Sequence, residues 1–239
     1  MFSTAMRYPG ASIAFGGGSL TPAVKALIIA NVALFVLQAV TDGAFVTLFG
    51  LVPVLVWERL YLWQLFTYQF LHGGIFHILF NMLALWMFGC DLERRWGSRF
   101  FLKYYTVCVV GGAILNVLFL PGQAAPSIGA SAGIYGILGA YALLYPNNII
   151  YFYFLFPIKM KYFVMIIGAI SLYSSITSTH SGIAHLAHLG GMAFGYLYLK
   201  WGNPWGWVGI YRDRYRLARK RRRFRIIAGN KDDSKPTLH

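Results

Sequence analysis

Gly129-Ala130-Ser131-Ala132-Gly133-Ile134-Tyr135-Gly136 opens an apolar segment that runs to Tyr145 and is stopped by Pro146-Asn147-Asn148. Fifteen residues from Ser131 to Tyr145 make about 22 Å of helix, against a hydrocarbon core of about 30 Å. Pro146 fixes one end, so the deficit falls at the other, and Ser131 is expected below the membrane surface. Residues 120–130 must then dip inward as irregular backbone, which a bilayer tolerates only where protein or a watery cavity surrounds it. A serine between small residues at such a junction is a candidate nucleophile.

Working outward, the chain has the composition of a membrane protein: 239 residues, 58% hydrophobic and 12% charged. A soluble domain of this length has no use for so much apolar surface. The net charge of +14 would suit a nucleic-acid binder, but its distribution does not. No Asp or Glu lies between residues 94 and 211, and the basic excess is concentrated in short loops and the tail. That is a topology signal, and it argues against a nucleic-acid groove.

Six segments are apolar enough to cross: 23–41, 74–90, 100–120, 131–145, 161–178 and 183–200. The stretch 44–57 holds Gly50 and Pro53 and leads into Trp57, Tyr61, Trp63 and Tyr68, as suits an interfacial hairpin. Arg94, Arg95, Arg99, Lys159 and Lys161 lie in the second and fourth connections, while Arg59 is alone in the first. By the positive-inside rule both termini are cytoplasmic. The expected fold is an all-α membrane protein of six transmembrane helices with an interfacial first loop. Its parts are a cytoplasmic segment 1–22, the membrane domain 23–200 and a basic cytoplasmic tail 201–239. No cleavable signal peptide is expected in residues 1–20, whose apolar run begins only near Val24. The tail from Arg212 to Arg225 reads as a topology anchor that also meets anionic lipid headgroups.

The serine has candidate partners on other segments. His188, Gly191 and Gly195 fall at i, i+3 and i+7, on one face of the last segment. Ala132, Gly136 and Gly139 give the fourth a small-residue face, and two such faces let backbones approach closely. His185 lies one turn before His188, and spacing alone does not choose between them. His77 and Asn81 share a face of the second segment, with His72 just before it. An imidazole N–H and an amide are suitable donors for an oxyanion, and the start of the serine's helix adds unpaired backbone N–H groups.

Rival chemistries lack their residues. There is no His-Glu-x-x-His for a zinc protease and no pair of aspartates in the spans. Any Ser/His site is therefore a dyad, with no acidic third member. Cys90 and Cys108 lack metal-ligand spacing and read as packing residues. Neither cofactor nor metal is expected.

At these residues the chain resembles the rhomboid intramembrane serine proteases, from the first segment through the sixth. His72-x4-His77-x3-Asn81 resembles the family's second-helix motif, Gly129-Ala130-Ser131 its serine motif, and Ala187-His188-x2-Gly191-x3-Gly195 its last-helix motif. Glu93 with Trp96-Gly97-Ser98 resembles the connection after the second helix. The resemblance selects His188 over His185 and implies Ser131 as nucleophile and His188 as general base. It also implies His77, Asn81 and the Ser131 N–H as oxyanion hole, with Gly129 for close loop approach and Tyr135 stacked on His188. Two departures stand out. Ala132-Gly133 reverses the usual order of those small residues, and Trp63-Gln64 replaces the frequent Trp-Arg of the first loop.

The implied function is cleavage of single-span membrane proteins in or near the bilayer, at helices with residues that unwind easily. Entry past the fifth segment is implied by the family alone. A catalytically silent rhomboid-like scaffold is the alternative, and a histidine-based proton path a weaker one. The short N-terminal region suggests a prokaryotic plasma membrane.

Overall fold

The computed structural model describes residues 19–41, 43–152, 155–177 and 185–202. Most of the predicted basic tail, from residue 203, and the start of the sixth segment lie outside them.

The first span, α1 (Pro22–Val40), begins with Pro22, whose ring pre-sets the helical φ. Its cap comes from far along the chain. Glu93 accepts hydrogen bonds from the N–H groups of Ala23 and Val24, each at 2.9 Å, and from the Thr21 hydroxyl. A carboxylate at a helix start satisfies orphan donors and complements the dipole. Ser98 Oγ donates to the same carboxylate at 2.6 Å, so one acid ties the start of the first span to the beginning of the third.

The first loop is helical. It comprises α2 (Gly43–Phe49), α3 (Pro53–Arg59), α4 (Gln64–Thr67) and a 3₁₀ turn at Tyr68–Phe70. The stretch 44–57, expected as an interfacial hairpin, consists of two short helices. Gly50 closes the first, with its N–H on Val46 O at 2.8 Å, and Pro53 starts the second. Its Trp57 is 54% exposed and its Trp63 43%, in keeping with an interfacial position.

The second span is continuous over Ile75–Trp96: α5 (Ile75–Ala84), a π-helical turn at Leu85–Gly89, and α6 (Cys90–Trp96). Then follow α7 (Ser98–Phe119), α8 (Ser131–Leu144), α9 (Met160–Thr177) and α10 (His185–Leu197). Among the described residues four helices are long and apolar enough to cross a membrane: α1, the α5–α6 span, α7 and α9. Ser131 opens α8, an apolar helix of 14 residues that is too short to be among them, and His188 lies on α10.

Helix α7 is the central element and α9 the outermost span, with 56% and 11% of their apolar windows buried. Small residues let α8 and α10 close on α7. A Cβ on Gly112 would lie 2.6 Å from the Ala187 carbonyl oxygen and 2.8 Å from Ala132 Cβ. In a bilayer, where lipid is as apolar as leucine, such close packing drives helix association.

The expectation of an all-α fold needs one correction. The connection between α8 and α9 is an antiparallel hairpin of β1 (Ile149–Phe152) and β2 (Phe156–Lys159), pairing Ile149 with Lys159 and Ile150 with Ile158. Successive β-branched and aromatic residues, too few for another helix, account for it. From Leu197 the chain belongs to a second unit, in which Tyr198–Gly202 is a π-helical turn.

Candidate active site

The loop before α8 is irregular; it is exposed at Pro121, Gly122, Ala124 and Ala125 and becomes buried only at Ser127, Gly129 and Ala130, next to the helix start. Its backbone is satisfied by the first loop: Leu51 and Ser127 exchange N–H···O bonds of 2.9 and 2.8 Å, and Gly129 N–H donates to Tyr68 O at 3.0 Å. Tyr68 is itself fixed by its hydroxyl, which donates to Val109 O at 2.8 Å. Gly129 has φ +124°, a region that L side chains avoid. Straight after it the chain turns into α8, placing Ser131 at the helix start.

Ser131 Oγ lies 2.6 Å from His188 Nε2. This contact depends on the close passage of α8 and α10, where Gly191 faces the Ala132 carbonyl without an intervening side chain. The His188 ring stacks on Tyr135, with centroids 4.2 Å apart and planes 12° from parallel. His188 is buried, and its Nδ1 has no partner among the described residues. A neutral imidazole with its proton on Nδ1 presents the Nε2 lone pair to the serine hydroxyl. His185 meets the His188 ring edge-on at 6.0 Å, so of the two histidines it is His188 that reaches Ser131.

His77 comes from α5 on the other side of Gly129. A Cβ on Gly129 would lie 2.8 Å from His77 Nε2 and 3.8 Å from Ser131 Oγ. The glycine therefore keeps open a space that faces both groups. Gly73 N–H donates to His77 Nδ1 at 3.2 Å. In a neutral ring the proton must then sit on Nε2, which makes the nitrogen beside Gly129 a donor. One turn along α5, Asn81 is buried, and its Nδ2 has no partner among the described residues. A buried amide donor left unpaired is costly unless something else accepts from it.

His72 is buried and packs edge-on against His77 with centroids 5.1 Å apart. Burial pushes its imidazole down to about 4, with His77 adding to the same effect. It is therefore uncharged near neutral pH. Its backbone is held by Gln38, whose amide donates to His72 O at 2.8 Å and accepts from His72 N–H at 3.0 Å.

Sequence reasoning named Gln64 only as a departure and Tyr68 only as an interfacial aromatic, and it did not mark Gln38 or Gly73. Gln64, fully buried, accepts from Val52 N–H at 2.9 Å and donates to Thr47 O at 2.8 Å. It thus secures the first loop where Arg is frequent in the resembled family. Gln38 acts through its side-chain amide on the backbone of His72, Tyr68 through its carbonyl on Gly129 and its hydroxyl on Val109, and Gly73 through its N–H on His77. Among the described residues no group of three His, Cys, Asp or Glu could hold a metal ion.

A half-buried serine in contact with a buried histidine, at the start of a helix in a bundle of apolar spans, belongs to a helical integral membrane protein. A family model for the rhomboid domain matches residues 59–202, and the chain belongs to the rhomboid family. It is 32% identical over 171 residues to RHOMBOID-like protein 4 of Arabidopsis thaliana, covering 70% of this chain and 41% of that protein. It is 29% identical over 211 residues to the mitochondrial RHOMBOID-like protein 12 of the same plant, covering 81% and 60%. Against the rhomboid protease GluP of Bacillus subtilis the identity is 38% over 134 residues, covering 56% and 25%. The chain thus spans between 25% and 60% of the length of these relatives. Because they include mitochondrial as well as bacterial proteins, they lend no support to the expected prokaryotic plasma membrane.

Proposed function

We propose that this chain is an intramembrane serine endopeptidase working through a Ser131/His188 dyad. The observation that carries the reading is the 2.6 Å Ser131 Oγ to His188 Nε2 contact, held under the Tyr135 ring inside an apolar bundle. Ser131 Oγ attacks the scissile carbonyl while His188 Nε2 takes its proton. The oxyanion forms in the space beside Gly129, where His77 Nε2–H, Asn81 Nδ2 and the Ser131 N–H serve as donors. His188 returns the proton to the leaving amine, then activates water to hydrolyse the acyl-enzyme. Tyr135 and His72 support the two imidazoles.

Substrates are single-span membrane proteins with Gly, Pro or small polar residues near the cut, since an intact helix keeps its amides bonded internally. Entry past α9 fits its position as the least buried span. Both termini face the cytoplasm in this reading, and the basic tail meets anionic headgroups. Of the alternatives, a silent scaffold has no need of the Ser–His contact, and a proton path none of Gly129.

The test is fluorophosphonate labelling of the purified chain in detergent. Wild type should label and cleave a model transmembrane substrate, while Ser131→Ala and His188→Ala should do neither and His185→Ala should do both. An unlabelled wild type that is correctly folded would favour the scaffold.

A further inference from the structure

We infer that the β1–β2 hairpin is a membrane anchor, lying in the interface of the bilayer with its cationic base on anionic lipid headgroups. Met160 is the first residue of the apolar helix α9, and Lys159 and Lys161 flank it. Cations at the end of an apolar span mark the edge of the hydrocarbon core, so the hairpin begins at headgroup level. The base is fixed in place. Met160 N–H donates to Asn148 O at 2.8 Å, Lys161 N–H to Pro146 O at 3.2 Å, and Asn148 Nδ2 to the Tyr141 hydroxyl at 3.4 Å.

The pairing puts Ile149, Tyr151, Pro157 and, at the base, Lys159 on one side of the ribbon, and Ile150, Phe156 and Ile158 on the other. Ile149 is 51% exposed, Leu155 73% and Phe156 60%. A two-stranded ribbon is marginal in water. Ile150 and Ile158 are half-buried; a lipid interface covers the exposed Ile149, Leu155 and Phe156, and headgroups with their water can satisfy the outer backbone groups.

Charge points to the same partner. Lys159 is exposed at the end of β2, Lys161 follows with its Nζ 4.8 Å from the Tyr162 ring, and Arg95 lies against Tyr145 at the same corner. Apolar side chains beyond a cationic base match the acyl boundary and the phosphates above it.

The experiment uses the full chain bearing Leu155→Cys, labelled with a small environment-sensitive dye; Cys90 and Cys108 are buried. The protein is placed in phosphatidylcholine vesicles with or without phosphatidylglycerol, and quenched by aqueous iodide or by nitroxide-bearing lipid. We expect strong nitroxide quenching and shielding from iodide. Phe156→Ser in the same background should raise iodide quenching severalfold, which separates the hairpin's insertion from the dye's own partitioning. Lys159→Glu with Lys161→Glu should do so in anionic vesicles only. Free access of iodide with no nitroxide quenching would overturn the proposal. So would shielding that fades as protein is diluted in lipid, which would mean that another copy covers the hairpin. Charge reversal without effect in anionic vesicles would overturn the headgroup contact.

Discussion

Gly191→Ala should disable the enzyme without touching either member of the dyad. A Cβ at this position would stand 2.7 Å from the Ala132 carbonyl carbon and closer still to its oxygen. Relaxed carbon–carbon contact needs about 3.5 Å, and both obstacles are main-chain atoms, so no side chain can swing aside. The helices α8 and α10 must part by about 1 Å. The Ser131–His188 separation of 2.6 Å would then become about 3.6 Å, beyond a hydrogen bond. Loss of a positioned general base costs about a hundred- to ten-thousandfold in rate, or about 3–5 kcal/mol of barrier. The control is Gly139→Ala on α8, where the added methyl meets only Met192 Cγ at 3.9 Å. It should keep full activity and gain up to about 1 kcal/mol of helix propensity. Turnover of a fluorogenic transmembrane substrate and the rate of fluorophosphonate labelling are the readouts, with thermal unfolding to verify the fold. If Gly191→Ala is folded and cleaves within twofold of wild type, close helix approach does not set the dyad, and the reasoning fails.

Removal of single oxyanion donors should be graded: His77→Ala or Asn81→Ala should lower turnover by about ten- to a thousandfold with residual activity, because other donors remain. Wild-type rates in both would reassign them to packing. Gln64→Leu should lower the unfolding temperature, since it strands the buried Val52 N–H and Thr47 O at about 1–3 kcal/mol each; an unchanged transition would mean that other contacts hold the first loop. Activity should fall on acidification as His188 takes up a proton and can no longer accept one from Ser131. A rate that climbs steadily from pH 7 to pH 5 would exclude a histidine base and revive the proton path.

Much of this was legible in the chain because the bilayer imposes a one-dimensional code. Hydrophobic length marks spans, cation placement marks sides, and absent acids leave only a dyad. The deficit between Ser131 and Pro146 is likewise what led to the expectation that the serine helix starts below the surface. Small-residue spacing told which faces of α8 and α10 could meet. What spacing could not choose was His188 over His185, one turn apart on the same helix. That choice depends on where α10 passes α8, which the Gly191–Ala132 contact fixes in three dimensions. Nor could sequence show that Glu93 caps a helix begun 71 residues earlier, or that Gln64 takes over the tether of the first loop. Those bonds join segments distant in the chain, and no local periodicity encodes them. The β1–β2 hairpin escaped for the opposite reason: its pattern is local but short, and a basic connection between spans reads as loop until backbone pairing is seen. Composition and period determined that the chain is built from apolar membrane helices and which reactive side chains it can offer, while packing of backbone against backbone decided which groups meet.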